Sequence, residues 1–310
     1  MSQSQQSQRT ALVLGSSGSL GSSIASHLKS NHDCIVIGSD IHPPSKDRID
    51  SVDAFIQLPN GLGTDNDGND SITIDSLYHG LRDGLLNLYS GDEENILLDA
   101  IICANGGFAM DDDNINEFEF DNIINEHDDN HDTKPTPNKG HVHETMLQMN
   151  YYPILAAGEI AKSYMSTKSK TSTLFVAFGA LAALSPAPNM TAYTSSKVLT
   201  HYYIQTIGSM TGNALKKEYK IQRTNEMGKK MRREGLYLDN MSALAILPIM
   251  LDTESNRQAL PEEDFSRWTK GEDIAKEIGV WLETPDLRPH SGSLVKVVTK
   301  NNESQFKLVR

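Results

Sequence analysis

The sequence predicts an α/β protein: a doubly wound parallel sheet with helices on both faces. Three observations carry the prediction. Short apolar runs of strand length alternate with longer stretches of helical spacing. Those runs are near-continuously apolar, as strands buried on both faces are. A glycine turn, G-S-S-G-S-L-G from Gly15 to Gly21, joins the first run to the first helical pattern. We read residues 10–310 as one Rossmann-like domain after a flexible tail at 1–9, with insertions at 111–140 and 212–235.

Taken in order, Thr10 to Leu14 is a first strand, and Leu20, Ile24 and Leu28 mark the inward face of a helix running to Lys29. A second strand from Cys34 to Gly38 ends in Ser39-Asp40, and Pro43-Pro44 closes off regular structure. Pro59 to Asp70 reads as a surface loop, Ser76 to Tyr89 as a helix, and Ile96 to Ala104 as a buried strand broken by Asn105-Gly106-Gly107. One long helix is expected from about His143 to Met165, then a strand from Thr173 to Phe178 and a helix carrying Tyr193. Ala243 to Leu247 is a strand stopped by Pro248, Asp273 to Leu282 an amphipathic helix, and Ser293 to Thr299 the final strand.

The formal charge of -13 is unevenly spread. Between Asp111 and Lys139 ten carboxylates face two lysines, so eight of the thirteen negative charges lie in one segment whose composition is that of a loosely ordered insertion. Lys216 to Arg233 is a second, basic insertion. No basic stripe suited to nucleic acid is present, and the acidic balance disfavours anionic lipid. Cys34 and Cys103, both in apolar runs, read as packed thiols in a reducing compartment. The polar start M-S-Q-S-Q-Q-S-Q-R-T shows no secretory signal, and no run spans a bilayer, so a cytoplasmic protein is expected. His127, His131, His141 and His143 are irregularly spaced among carboxylates, and we read them as part of a solvated loop, with no metal site.

Gly15, Gly18 and Gly21 let backbone approach a pyrophosphate and aim the amides of the next helix at its charge. Asp40, ending the second strand, stands where a carboxylate grips an adenosine ribose diol. No Arg or Lys occupies Ser16, Ser17, Ser39 or Ile41 to attract a 2′-phosphate, so NADH is expected ahead of NADPH. Further on, Tyr193 and Lys197 lie four apart, which on a helix sets a phenol and an ammonium on one face; the ammonium is expected to ease loss of the phenolic proton.

With the glycine turn, Asn105-Gly106-Gly107 and Tyr193/Lys197 in this order, the chain resembles the short-chain dehydrogenase/reductase superfamily. Within it the C-terminal part is similar to the quinonoid dihydropteridine reductases, through L-P-I-M-L-D-T-E-S-N-R (Leu247 to Arg257), L-P-E-E-D-F-S-R-W-T (Leu260 to Thr269) and R-P-H-S-G-S-L-V-K-V-V-T (Arg288 to Thr299). G-A-L-A-A-L (Gly179 to Leu184) also looks like that family. The resemblance implies that Tyr193 is the proton donor and that Lys197 holds the nicotinamide ribose. It places Gly15, Ser17, Gly18, Leu20, Gly21, Asp40, Gly106, Lys197 and Thr253 against the cofactor, and Phe108, Ala180 and Tyr193 against the substrate. It also implies a homodimer built from packed helices.

Where most of the superfamily has a catalytic Ser, about thirteen residues before the Tyr, this chain has Ala180, as the dihydropteridine reductases do. An ordinary ketone needs a hydrogen bond on its oxygen as hydride arrives, whereas a cross-conjugated quinonoid pterin regains aromatic character on reduction and needs less help. The expected activity is therefore NADH-dependent reduction of a quinonoid dihydropteridine. The competing readings are another short-chain reductase acting on a quinone or carbonyl compound, and an NADH-binding interaction protein without turnover.

Overall fold

A computed structural model describes residues 8–60, 72–111, 139–165, 172–211 and 240–309. Most of both expected insertions and of the Pro59 to Asp70 loop lies outside the described residues. Eight described strands form one sheet in the order β3-β2-β1-β4-β5-β6-β7-β8. They are β1 (Thr10–Leu14), β2 (Ile35–Asp40), β3 (Ala54–Gln57), β4 (Ala100–Cys103), β5 (Thr173–Phe178), β6 (Met241–Leu247), β7 (Ser293–Lys300) and β8 (Glu303–Leu308). All neighbours pair in parallel except β7 with β8. The helices are α1 (Ser19–His32), α2 (Ile74–Leu88), α3 (Lys139–Asn150), α4 (Tyr152–Tyr164), α5 (Thr191–Ser209), α6 (Glu254–Ala259) and α7 (Gly271–Glu283).

The period of two along β1 shows why both faces are covered. Leu12 and Leu14 enter a core with Leu77, Leu81 and Leu85 of α2, Ile154 and Ile160 of α4 and Ile204 of α5. Ala11 and Val13 enter a second core, with Ile24 and Leu28 of α1 and Ile274, Ile278 and Trp281 of α7. Cys34 lies just ahead of β2 rather than inside it; it and Cys103 are buried free thiols.

The single helix expected from His143 to Met165 is two. Tyr151, at φ -121° and ψ -44°, separates α3 from α4, and Pro153 stands in the first turn of α4. Proline has no N–H to give the carbonyl four residues back, and that carbonyl, on Met149, instead accepts from Asn105 Nδ2 at 2.8 Å. Two short strands escaped the sequence reading. β3 has four residues, and β8 returns from β7, the expected last strand, through Asn301-Asn302, both at positive φ as a tight hairpin turn requires. The N-terminal tail is anchored earlier than expected, since Arg9 O accepts from Ile35 N and Gln8 Nε2 donates to Asp33.

Candidate active site

The strand order reverses between β1 and β4, which opens a crevice at their carboxyl ends. The glycine turn after β1 lies against the segment after β4 there: a Cβ on Gly15, whose φ is +75°, would stand 2.5 Å from Asn105 N. A Cβ on Gly21 would lie 2.0 Å from Gly15 O. A groove of about 500 Å³ opens at this point, lined in part by Gly15, Ser17, Gly18, Asp40, Arg48, Asn105 and Gly106. Leu20 and Gly21 are buried in the first turn of α1. Asp40 is fixed by the turn itself, accepting from Ser17 N at 3.1 Å and from His42 N at 3.3 Å.

Whether the crevice suits a dinucleotide is tested by its polar atoms. Asn105 Oδ1, on the groove's lining, is buried with no hydrogen-bond partner among the described residues, as are Ser16 Oγ and Ser39 Oγ behind the glycine turn. Such atoms are rare in folded chains. Together with the tight backbone cradle of Gly15 and Gly21 and the carboxylate of Asp40, they fit a ligand carrying phosphate and ribose.

At the inner end, Gly106 joins the groove to α5. Its φ is +151°, and a Cβ there would meet Asn150 Oδ1 at 2.7 Å and Lys197 Nζ at 3.2 Å, so the lysine packs against Gly106 in the space a side chain would fill. Lys197 is buried and donates to Phe178 O at 3.0 Å. Burial lowers its pKa to about 8 and pushes the Tyr193 phenol up to about 12. The expected easing of proton loss from Tyr193 is thus not what this fold shows: the ammonium, 5.8 Å from the ring centroid, is outweighed by desolvation. Phe108 meets Tyr193 edge to face at 5.0 Å between centroids and is 45% exposed, so it is a wall of an open site rather than a core aromatic. Thr253 caps α6, its hydroxyl oxygen accepting from Asn256 N at 3.2 Å, which leaves the hydroxyl proton to donate. Tyr193, Lys197, Phe108 and Thr253 do not line the groove that holds the glycine turn.

Ala180 is buried, and its amide is taken: it donates to His201 Nε2 at 3.2 Å. Burial, and next the charge of Lys197, hold the His201 pKa down at about 4, so the imidazole is neutral and able to accept. Gly179 clears the same ring, since its Cβ would lie 2.2 Å from His201 Nε2. The end of β5 is therefore bound to α5 at two points, through Lys197 and His201.

Sequence reasoning placed Asn105 in a motif without a role of its own, and missed Asn150, His201 and the role of Asp111. Asn150, fully buried, pairs through its amide with both backbone groups of Gly107 and donates to Ser196 Oγ at 3.1 Å. Its one signal was an Asn just ahead of a proline-led helix. Asp111, counted with the insertion, is an anchor. Met190 gives α5 no side-chain cap, and Asp111 replaces it from outside, accepting from Thr191 N at 2.9 Å and Ala192 N at 3.0 Å. The Ala192 amide, ahead of the bonds from Thr191, draws the Asp111 pKa below the usual carboxylate range. A depressed pKa makes its contribution full above about pH 4 and lost as pH falls through the folded value. Asp111→Ala should cost about 1 kcal/mol at pH 7, and melting curves of the two proteins should converge toward pH 3.

No family model matches the sequence. The chain is 29% identical over 294 residues to a dihydropteridine reductase from Dictyostelium discoideum, covering 94% of this chain and 96% of that protein. Among solved structures, a short-chain dehydrogenase from Salmonella enterica superposes with a TM-score of 0.59 at 15% identity, over 95% of this chain and 99% of that one. The fold is that of the short-chain dehydrogenases. A second structure of that fold, from Burkholderia cenocepacia in complex with NADP, gives a TM-score of 0.57 at 14% identity over 95% and 98% of the two chains. The short-chain dehydrogenase fold accounts for the crevice, and the resemblance to dihydropteridine reductase runs the length of the chain rather than resting on the C-terminal blocks alone.

Proposed function

We propose that this chain is a nicotinamide-dependent oxidoreductase that reduces a quinonoid dihydropterin to the tetrahydropterin, with NADH as reductant. The observation that carries the reading is the pairing of a firmly protonated phenol with a donorless wall. Tyr193 holds its proton at neutral pH as any phenol does, and burial makes ionisation harder still, so the resting side chain is in the protonated state an acid needs before a reduction. Ala180 offers no hydroxyl, and its amide is spent on His201.

A dinucleotide held by the Gly15–Gly21 turn and Asp40 would supply hydride to the conjugated C=N system of the substrate. Tyr193 donates its phenolic proton to the pterin as the ring accepts the electron pair. Lys197, with Nζ on Phe178 O, stabilises the phenolate that remains, an interaction stronger after transfer than before it. Phe108 offers an exposed ring face for stacking, and Asp40 holds the ribose diol. Absence of a hydrogen-bond donor at Ala180 leaves a carbonyl oxygen's developing charge uncompensated there, a loss of about 3 kcal/mol of transition-state help.

The test is steady-state turnover with NADH on quinonoid dihydropterin, a quinone and a simple ketone. Turnover on the pterin should exceed that on the ketone by about two orders of magnitude. Equal turnover on the ketone, or a quinone outpacing the pterin, would overturn the reading. The resemblance also supports a homodimer, which sedimentation of the purified chain would test.

A further inference from the structure

Two of the C-terminal sequence blocks end on threonines, Thr269 and Thr299, that the chemistry at Tyr193 does not use, and the structure brings this pair together. Their Oγ1 atoms are 2.8 Å apart and both side chains are buried. Thr299 Oγ1 is also 2.9 Å from Ser304 Oγ, and Ser304 Oγ donates to Asp273 Oδ2 at 2.7 Å. A hydroxyl has one proton to give. Ser304 spends its own on the carboxylate, so Thr299 donates to Ser304 and Thr269 donates to Thr299. The three hydroxyls therefore form a polarised chain that runs from the first turn of α7, through the β7–β8 hairpin, to Thr269.

Thr269 is the base of the segment that follows β6. Its backbone pairs on either side of Leu251: Thr269 N donates to Met250 O at 2.9 Å, and Asp252 N donates to Thr269 O at 2.8 Å. The hairpin holds the same loop at a second point, where Asn302 N donates to Ser266 O at 2.8 Å. Because β6 runs parallel to β5, the segment leaves the sheet at the end that carries Phe178 and Ala180, and there Leu181 N donates to Pro248 O at 3.3 Å. Thr253, with a hydroxyl proton still to donate, closes the segment. We propose that Thr269 and Thr299 are positioning residues through which Asp273 and the β7–β8 hairpin fix the backbone of residues 250–253 beside the reacting groups, an inference that rests on the reductase reading of that site. Without the Thr299 hydroxyl, Thr269 would keep a buried donor and lose its acceptor, and the cost would fall on the backbone pairing that Thr269 makes.

Thr299→Val keeps the shape of the side chain and removes its hydroxyl. Native-state hydrogen exchange at the amides of Asp252 and Thr269 should quicken about tenfold, while the amides of β5 keep their rate. In steady-state reduction of quinonoid dihydropterin by the full chain, kcat/KM for NADH should fall about tenfold. Binding of 5′-AMP, a probe for the glycine-turn groove alone, should stay within about twofold by calorimetry. Thr299→Ser, which restores the hydroxyl, should recover most of both losses. Ser304→Ala, which cuts the chain one step further out at a half-buried position, should give the same pattern at about threefold. Faster exchange with unchanged kinetics would reduce the chain to a structural brace, unchanged exchange would remove it from the segment, and equal losses of 5′-AMP binding and turnover would mean that the whole fold had yielded; each of these overturns the proposal. If the unaltered chain does not turn over NADH, the reductase reading fails and the proposal with it, whereas the other outcomes leave that reading standing.

Discussion

Tyr193→Phe should lower turnover on quinonoid dihydropterin by about two to four orders of magnitude while dinucleotide affinity stays within about twofold. The ring's packing survives the change: Phe keeps the edge-to-face contact with Phe108 and the contacts beside Met149, Val142 and Met146. What is removed is the phenolic O–H. Position 180 does not replace it, having no hydroxyl and an amide bound to His201. Stopped-flow hydride transfer and a fluorescence titration with NADH, run on the same preparation, separate the chemistry from binding. Retained turnover would mean that the proton comes from solvent.

Gly21→Ala should weaken dinucleotide binding by about a hundredfold and lower the melting temperature, although it adds a single methyl group. The new Cβ would lie 2.0 Å from Gly15 O, 2.6 Å from Gly15 C and 2.9 Å from Ser16 Cα. All three are backbone atoms, so the turn itself has to move, and with it the amides that face the phosphates. Gly18→Ala is the control, because its Cβ would stand 3.4 Å from Gly15 O with nothing else close. Parallel titrations should show a large loss for position 21 and a small one for position 18; equal losses would show that the turn's conformation, rather than its clearance, limits binding.

Much of this architecture was legible because it follows from local pattern. The buried runs of β1, β4, β5 and β6 are apolar from end to end, and α2 and α7 are strongly amphipathic, so each declared itself. What stayed hidden depends on contacts between distant segments. The break at Tyr151 needs Asn105, 44 positions from Met149, to take the carbonyl that Pro153 leaves unpaired. Asp111 caps α5 from 80 positions away, and Arg48 reaches Ser17 across 31. The Tyr193 pKa went the other way from its expectation because helical spacing reports proximity to Lys197 but not the burial of both groups.

The two bonds that join β5 to α5 also act as a vernier. Lys197 and His201 are one helical turn apart, and they engage Phe178 and Ala180, which lie on either side of Gly179. Sliding α5 along its axis by one residue, about 1.5 Å, would break both bonds at once and leave a buried amide and a buried ammonium unpaired. With Asp111 gripping the first turn, the helix is held at both its start and its middle. The depth at which the phenol of Tyr193 meets a substrate is consequently set by the sheet, and any adjustment to substrates of different size falls to the walls facing it.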